Sequence, residues 1–157
     1  MGISKSKIKN IIIAGIVIAL GLGLLVWYRY TETFGDTGKE KSAYTISAMD
    51  IIKEFKRNDT IANKKYAEKI VTVTGIVTAL EFADTTVNIK MADRTGSYVI
   101  FAFQSQHLAE AKSIKQGDDV SIKGSCSGGA YSEILETEFI TFKRCALDKQ
   151  KNLTITK

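Results

Sequence analysis

Apolar and polar positions divide the chain into regimes. Ile11–Tyr28, IIIAGIVIALGLGLLVWY, is 18 residues without a charge. As a helix rising about 1.5 Å per residue it spans roughly 27 Å, enough for a hydrocarbon core. Thr31–Tyr44, TETFGDTGKEKSAY, is polar, with Gly35 and Gly38 and no apolar period, and reads as a spacer. Helical spacing begins near Thr45 or Ser47. Ser47 suits an N-cap, Asp50 stands in the first turn, and Ala48, Ile51, Ile52 and Phe55 form an apolar stripe. Asp59 or Thr60 would cap a second short helix. Together these helices would cover one end of a barrel.

From Ile70 the period becomes two. Val71, Val73, Gly75, Val77 and Ala79 share one face of a long strand over Glu68–Phe82, and Gly75 predicts a bulge or sharp coil within it. Asp84–Thr85 reads as a turn into a second strand, Thr85–Met91, with Val87, Ile89 and Met91 inward. Ser97–Phe103 is a third, with Val99, Phe101 and Phe103 inward. A helix over Ser105–Lys115, a fourth strand over Val120–Ser125, a hairpin turn at SGGAY and a fifth strand over Tyr131–Phe142 complete the pattern. The expected fold is mainly β. It is a five-stranded barrel of the oligonucleotide/oligosaccharide-binding (OB) type in β-β-β-α-β-β order, preceded by short helices and an N-terminal transmembrane helix. The expected divisions are a cytoplasmic stub over 1–9, the transmembrane helix over 10–29, a linker over 30–44, the domain over 45–145 and a polar tail over 146–157, in which LTIT could add an edge strand.

Charge sharpens this organisation. The net charge is +5, but Lys5, Lys7, Lys9 and Arg29 flank the apolar run, leaving 18 basic and 17 acidic residues from Thr31 onward. A nearly neutral domain lacks the field that drives non-specific binding to a phosphate backbone. The lysine-rich end predicts a cytoplasmic N-terminus and an extracytoplasmic, periplasmic domain on a single-pass inner or plasma membrane anchor. A cleaved signal peptide would have a shorter apolar core and a small-x-small site, which WYRYTETF does not supply.

The stretch IIKEFKRNDTIANKKYAEKIVTVTGIVTAL resembles the start of the OB-fold family named tRNA anti-like. The matching residues are Phe55, Asn58, Ala62, Lys65, Tyr66, Val73, Thr74, Gly75 and Val77. VSIKGSCSG, Val120–Gly128, is similar to a second motif of that family. The resemblance covers Ile51–Phe142 and implies the fold and an exported, often membrane-tethered setting of the Bacteroidetes type. It implies no activity, and the family name is not evidence of tRNA binding. Many members carry a second cysteine near the position of Glu138, where this chain departs.

Candidate chemistry is sparse. Cys126 and Cys145 are the only cysteines. Outside the cytoplasm such a pair invites a disulfide. With a turn at Gly128–Gly129, however, Cys126 would face Tyr131, and only a bend after Phe142 would bring Cys145 near. The spacing admits a disulfide or free thiols. Two cysteines and one histidine make no zinc site. His107 lacks a serine–acid pattern and reads as a solvated helix residue. Gly124, Gly128 and Gly129 lack the Lys-Ser/Thr of a phosphate loop. No cofactor is implied.

An OB fold binds through the outward face of its second and third strands. Here that face predicts Asn88, Lys90 and Tyr98, with Thr72 beside them. No second outward aromatic is evident on these strands. Glu133, Glu136 and Glu138 on the fifth strand would repel phosphate, and Glu136 with Glu138 reads as a solubilising face rather than an acid–base pair. The sequence therefore predicts a membrane-anchored extracytoplasmic binding or interaction module without catalytic activity. Its partner would be an envelope protein, peptide or glycan, with single-stranded nucleic acid on the barrel face as the alternative.

Overall fold

The computed structural model describes residues 5–30, 35–83, 86–103 and 105–148, with side chains in the first helix described for 15–27 only. The expected turn at Asp84–Thr85, the LTIT segment and Thr31–Phe34 of the spacer lie outside the described residues. The chain forms two units, Met1–Gly35 and Asp36–Lys157. The first is helix α1, Lys5–Tyr30. Among the described residues no helix is long and apolar enough to cross a membrane.

In the second unit, β1 (Tyr44–Ser47) leads into α2 (Ala48–Arg57) and α3 (Asp59–Tyr66). Ser47 caps α2, its Oγ accepting from Asp50 N at 3.1 Å. Asn58, rather than Asp59 or Thr60, caps α3 by accepting from Ile61 N at 2.9 Å. The Lys65–Tyr66 pair ties the two helices together. Lys65 Nζ and Tyr66 Oη both donate to Glu54, at 2.9 and 3.0 Å, while Tyr44 meets the Tyr66 ring edge-on at 5.3 Å.

The strands are β2 (Ile70–Ile76), β3 (Ala79–Phe82), β4 (Val87–Ala92), β5 (Tyr98–Phe103), β6 (Asp119–Ser132) and β7 (Thr137–Leu147). A 3-10 turn, Ser105–His107, and α4, Leu108–Lys112, separate β5 from β6. The seven strands form one OB-like sheet in the order β1-β2-β6-β7-β5-β4-β3. The inward residues are those the alternation predicts: Val71, Val73, Val87, Ile89, Met91, Val99, Phe101 and Ile122 are all buried, with Phe55, Ile51 and Ile52 of α2 packed over them.

Four expectations change. Seven strands replace five. The first expected strand breaks at Val77–Thr78, where Val77 N donates to Asp118 O and Thr78 N to Lys90 O, so β2 pairs with β6 while β3 pairs with β4. Gly75 is not the break. A Cβ there would lie 3.0 Å from Ala48 Cβ and 3.1 Å from Met91 Sδ, so the glycine admits the start of α2. The polar spacer is ordered from Asp36, because Thr37 is buried and β1 pairs in parallel with β2. At the other end Ala146 is buried and Leu147 still belongs to β7, so the sheet continues past the expected boundary at 145.

The fourth change is the hairpin. Gly128–Gly129 is not a turn. β6 runs through it to Ser132, and the turn is Glu133–Glu136. Asn63 of α3 explains the difference. Its amide donates to Gly129 O at 2.9 Å and accepts from Gly129 N at 3.0 Å, as a neighbouring strand would. Gly129 also lacks the Cβ that would strike Phe55 at 2.7 Å, and Gly128 takes φ +100° in the bulge beside it.

This register decides the cysteines. Cys126 faces Phe142, and Cys145 lies in the second bulge, beside Gly124. Both thiols are free and buried, so the expected disulfide is absent. Burial pushes both thiols up, Cys145 well above the ordinary range, which suppresses thiolate reactivity.

A Cβ on Gly124 would lie 2.6 Å from Cys145 Sγ. Gly124→Ala should therefore cost roughly 1–3 kcal/mol of overpacking. Adding Cys145→Ala should restore about 1 kcal/mol or more of that in a double-mutant cycle read by chemical denaturation. Strict additivity would contradict this packing.

Candidate binding face and pocket

Asn88 and Lys90 alternate with the buried Val87, Ile89 and Met91 of β4, so both point to its outer side. Tyr98 does the same on β5, where it pairs with Ala92. Lys90 Nζ stands 5.2 Å from the centre of the Tyr98 ring and forms an ion pair with Glu81 of β3. The parallel pairing of β5 with β7 sets Phe139 directly beside Tyr98. The two rings stack at 6.5 Å between centres with 28° between planes. Lys90, Tyr98 and Phe139 thus form one row of a cation and two half-buried aromatic faces across β4, β5 and β7.

Phe139 is the residue the sequence reading missed, and Glu138 is its counterpart. Glu138 was expected outward, yet it is 5% exposed. Ile140 and Phe142 must be inside, and alternation then carries Glu138 in and Phe139 out. That signal was available in the sequence. Glu138 N donates to Ser97 Oγ at 3.1 Å, while its Oε2 is buried without a hydrogen-bond partner. Burial pushes the carboxyl up and the Asp59 carboxylate pushes it further, against the opposing charge of Lys56. Glu136, by contrast, is exposed in the turn, as is Glu133.

Thr72 does not belong to this row. It lies on β2 between β1 and β6, is 1% exposed, and shares a 2.6 Å hydrogen bond with Ser42 Oγ and a 3.3 Å bond to Asp148 Oδ2. It lines a separate polar cavity of about 780 Å³ beneath residues 36–42, together with Lys123, Leu147, Asp148 and His107. His107 is not a solvated helix residue either. Its side chain is 13% exposed, and its Nε2 meets Asp36 Oδ1 at 2.7 Å. That bond is the main reason the Asp36 carboxyl lies below its ordinary value. Among the described residues no cluster of three or more His, Cys, Asp or Glu could hold a metal ion.

The family model for tRNA_anti-like proteins matches residues 4–138. The chain belongs to the tRNA_anti-like family. No curated protein matches it. Among solved structures it is similar to a proposed nucleic acid-binding lipoprotein from Klebsiella pneumoniae subsp. pneumoniae MGH 78578. The match has 18% identity and a TM-score of 0.51, and covers 65% of this chain and 89% of that one. The aspartyl tRNA synthetase from Entamoeba histolytica matches at 14% identity and a TM-score of 0.41, covering 54% of this chain and 19% of the synthetase. The asparaginyl-tRNA synthetase from Pyrococcus horikoshii matches at 15% and 0.38, covering 53% and 20%. At these identities the likeness to the lipoprotein is one of fold.

The position of Glu138 has a measurable consequence. A carboxyl raised in the folded state favours folding while protonated, and that advantage is lost as pH rises from the ordinary 4.5 through the folded value. Glu138→Gln, which removes the charge, should raise Tm by a few degrees at pH 7–8, and the gap should close below about pH 4.5. A variant less stable than the parent at neutral pH would contradict this account of the buried carboxyl.

Proposed function

We propose that this member of the tRNA_anti-like family is a non-catalytic binding module, tethered to a membrane through α1, whose ligand lies across the outer face of β4, β5 and β7. The Lys90–Tyr98–Phe139 row carries the reading. Aromatic rings and a lysine on the middle strands of an OB sheet offer a surface for planar or apolar groups of an extended ligand. Glu81 beside Lys90 keeps that face close to neutral. We place an envelope protein, peptide or glycan there as partner. The sheet would act as an OB barrel, with the chain through Val77–Thr78 joining its two halves.

The tether rests on the uncharged run Ile11–Tyr28, on the lysines before it and on the exposed apolar side chains from Ile16 to Trp27. The same features support a cytoplasmic N-terminus and an extracytoplasmic domain. Anchoring confines the search for an envelope partner to two dimensions and raises its effective concentration.

One observation favours single-stranded nucleic acid as a second reading. Phe139 supplies the second outward aromatic that base stacking uses, and Glu138 is withdrawn from the face. The near-neutral domain weighs against it.

Full-length protein in detergent micelles, presented with envelope extract and separately with single-stranded oligonucleotides at 50 and 200 mM salt (about one to four in ionic strength), distinguishes these readings. The proposal predicts a specifically captured envelope ligand, weakened roughly tenfold or more by Tyr98→Ala and by Phe139→Ala, with little effect of salt. Oligonucleotide binding that falls steeply with salt and is lost in the same variants would establish the second reading. Capture unchanged in both variants would remove this face as the site. A cysteine placed at the exposed Glu40 reports topology through a membrane-impermeant maleimide, because both native thiols are buried. Labelling is expected from the outer side of the membrane.

A further inference from the structure

The residues 36–42 that enter the domain are held down at few points. Lys123 Nζ of β6 donates to Glu40 O at 3.0 Å and, at 3.4 Å, to Gly38 O. Ser42 meets Thr72. The third hold is His107. Its Nε2 lies 2.7 Å from Asp36 Oδ1, and its Nδ1 lies 3.3 Å from Glu110 Oε2 of α4. Asp36 Oδ1 also accepts from Gly38 N at 3.0 Å, which closes the segment into a tight loop against the imidazole. A Cβ on Gly38 would stand only 3.5 Å from His107 Cε1.

A neutral imidazole has one N–H and one lone pair, so it can donate to only one of two flanking carboxylates and turns a lone pair on the other. The imidazolium donates to both. We propose that His107 is a protonation-dependent clasp: charged, it bridges Asp36 and Glu110 and seats residues 36–42 over the 780 Å³ cavity; neutral, it releases Asp36 and opens that cavity. Opening uncovers the Thr72 and Ser42 hydroxyls and the Lys123 ammonium. The other charges around the ring are Lys39, Glu40 and Lys41 on the segment, Lys112 on α4, Lys123 on β6, Arg144 on β7 and Asp148 just after it. Lys39 Nζ lies 3.8 Å from Asp36 Oδ2 and is too exposed to replace the imidazolium.

The sign follows from the two partners. Asp36, lowered by its bond to His107, keeps its charge above its ordinary 3.8, so the acid limit of the clasp lies below that value. The alkaline limit is the loss of the histidine proton, which for this side chain falls in the range of about pH 5–8. The clasp is closed between these limits and open above them.

Hydrogen exchange of the full chain in detergent micelles, corrected for intrinsic rates, reads this directly. Peptides covering residues 37–43 should lose about tenfold or more of their protection between pH 5.5 and pH 8, while peptides of β5 hold theirs. His107→Gln should show low protection of 37–43 at every pH, and Asp36→Asn should flatten the step. Protection of 37–43 that does not change with pH in the parent, or a step that persists in His107→Gln, overturns the proposal. If His107→Gln leaves β5 unprotected, and so has not folded, the parent profile and Asp36→Asn decide.

Discussion

The amide of Asn63 closes on both backbone groups of Gly129, and the identity of the outer face descends from that contact. Each bond contributes about 1 kcal/mol net, but their larger effect is on where the chain turns. Pinned against α3, β6 cannot reverse at Gly128–Gly129 and continues to Ser132. The turn then falls at Glu133–Glu136, and β7 begins with the parity that buries Ile140 and Phe142. The same parity buries Glu138 and turns Phe139 outward beside Tyr98. A one-residue slip would exchange every one of these positions. A helix that packs over the core thus determines, through one side chain, which residues meet a ligand.

Two further constraints act on the same strands. Phe55 and Ile140 fill the space where a Cβ on Gly129 would stand, so the clamp and the core packing exclude the same substitutions. The bulge that seats Cys145 beside Gly124 lets β7 keep pairing with β6 as far as Leu147. The cysteines belong to this packing, as free buried thiols rather than a bridge.

Much of the fold was legible from periodicity. Val87, Ile89, Met91, Val99 and Phe101 alternate cleanly, and Ser47 announces α2. What periodicity could not show were contacts between distant elements. A Gly-Gly pair is a strong turn signal locally, and only the Asn63 side chain, 66 residues away, overrides it. Gly75 looked like a bend because the approach of Ala48 is a tertiary fact. The strand break at Val77–Thr78 depends on backbone bonds to Asp118 and Lys90. Of the candidate site, Asn88, Lys90 and Tyr98 were legible because alternation alone brings them to one face. Thr72 was misplaced because alternation cannot show that β1 and Ser42 cover it. Phe139 was missed because the hairpin position was wrong, although Ile140 and Phe142 already implied it.

The central claim is the register of β6 and β7, and cross-strand proton–proton NOEs in isotope-labelled protein measure it without reference to any ligand. The account predicts contacts linking Tyr131 with Glu138 and Gly129 with Ile140. Contacts linking Cys126 with Tyr131, the pairing of a hairpin that turns at Gly128–Gly129, would contradict it.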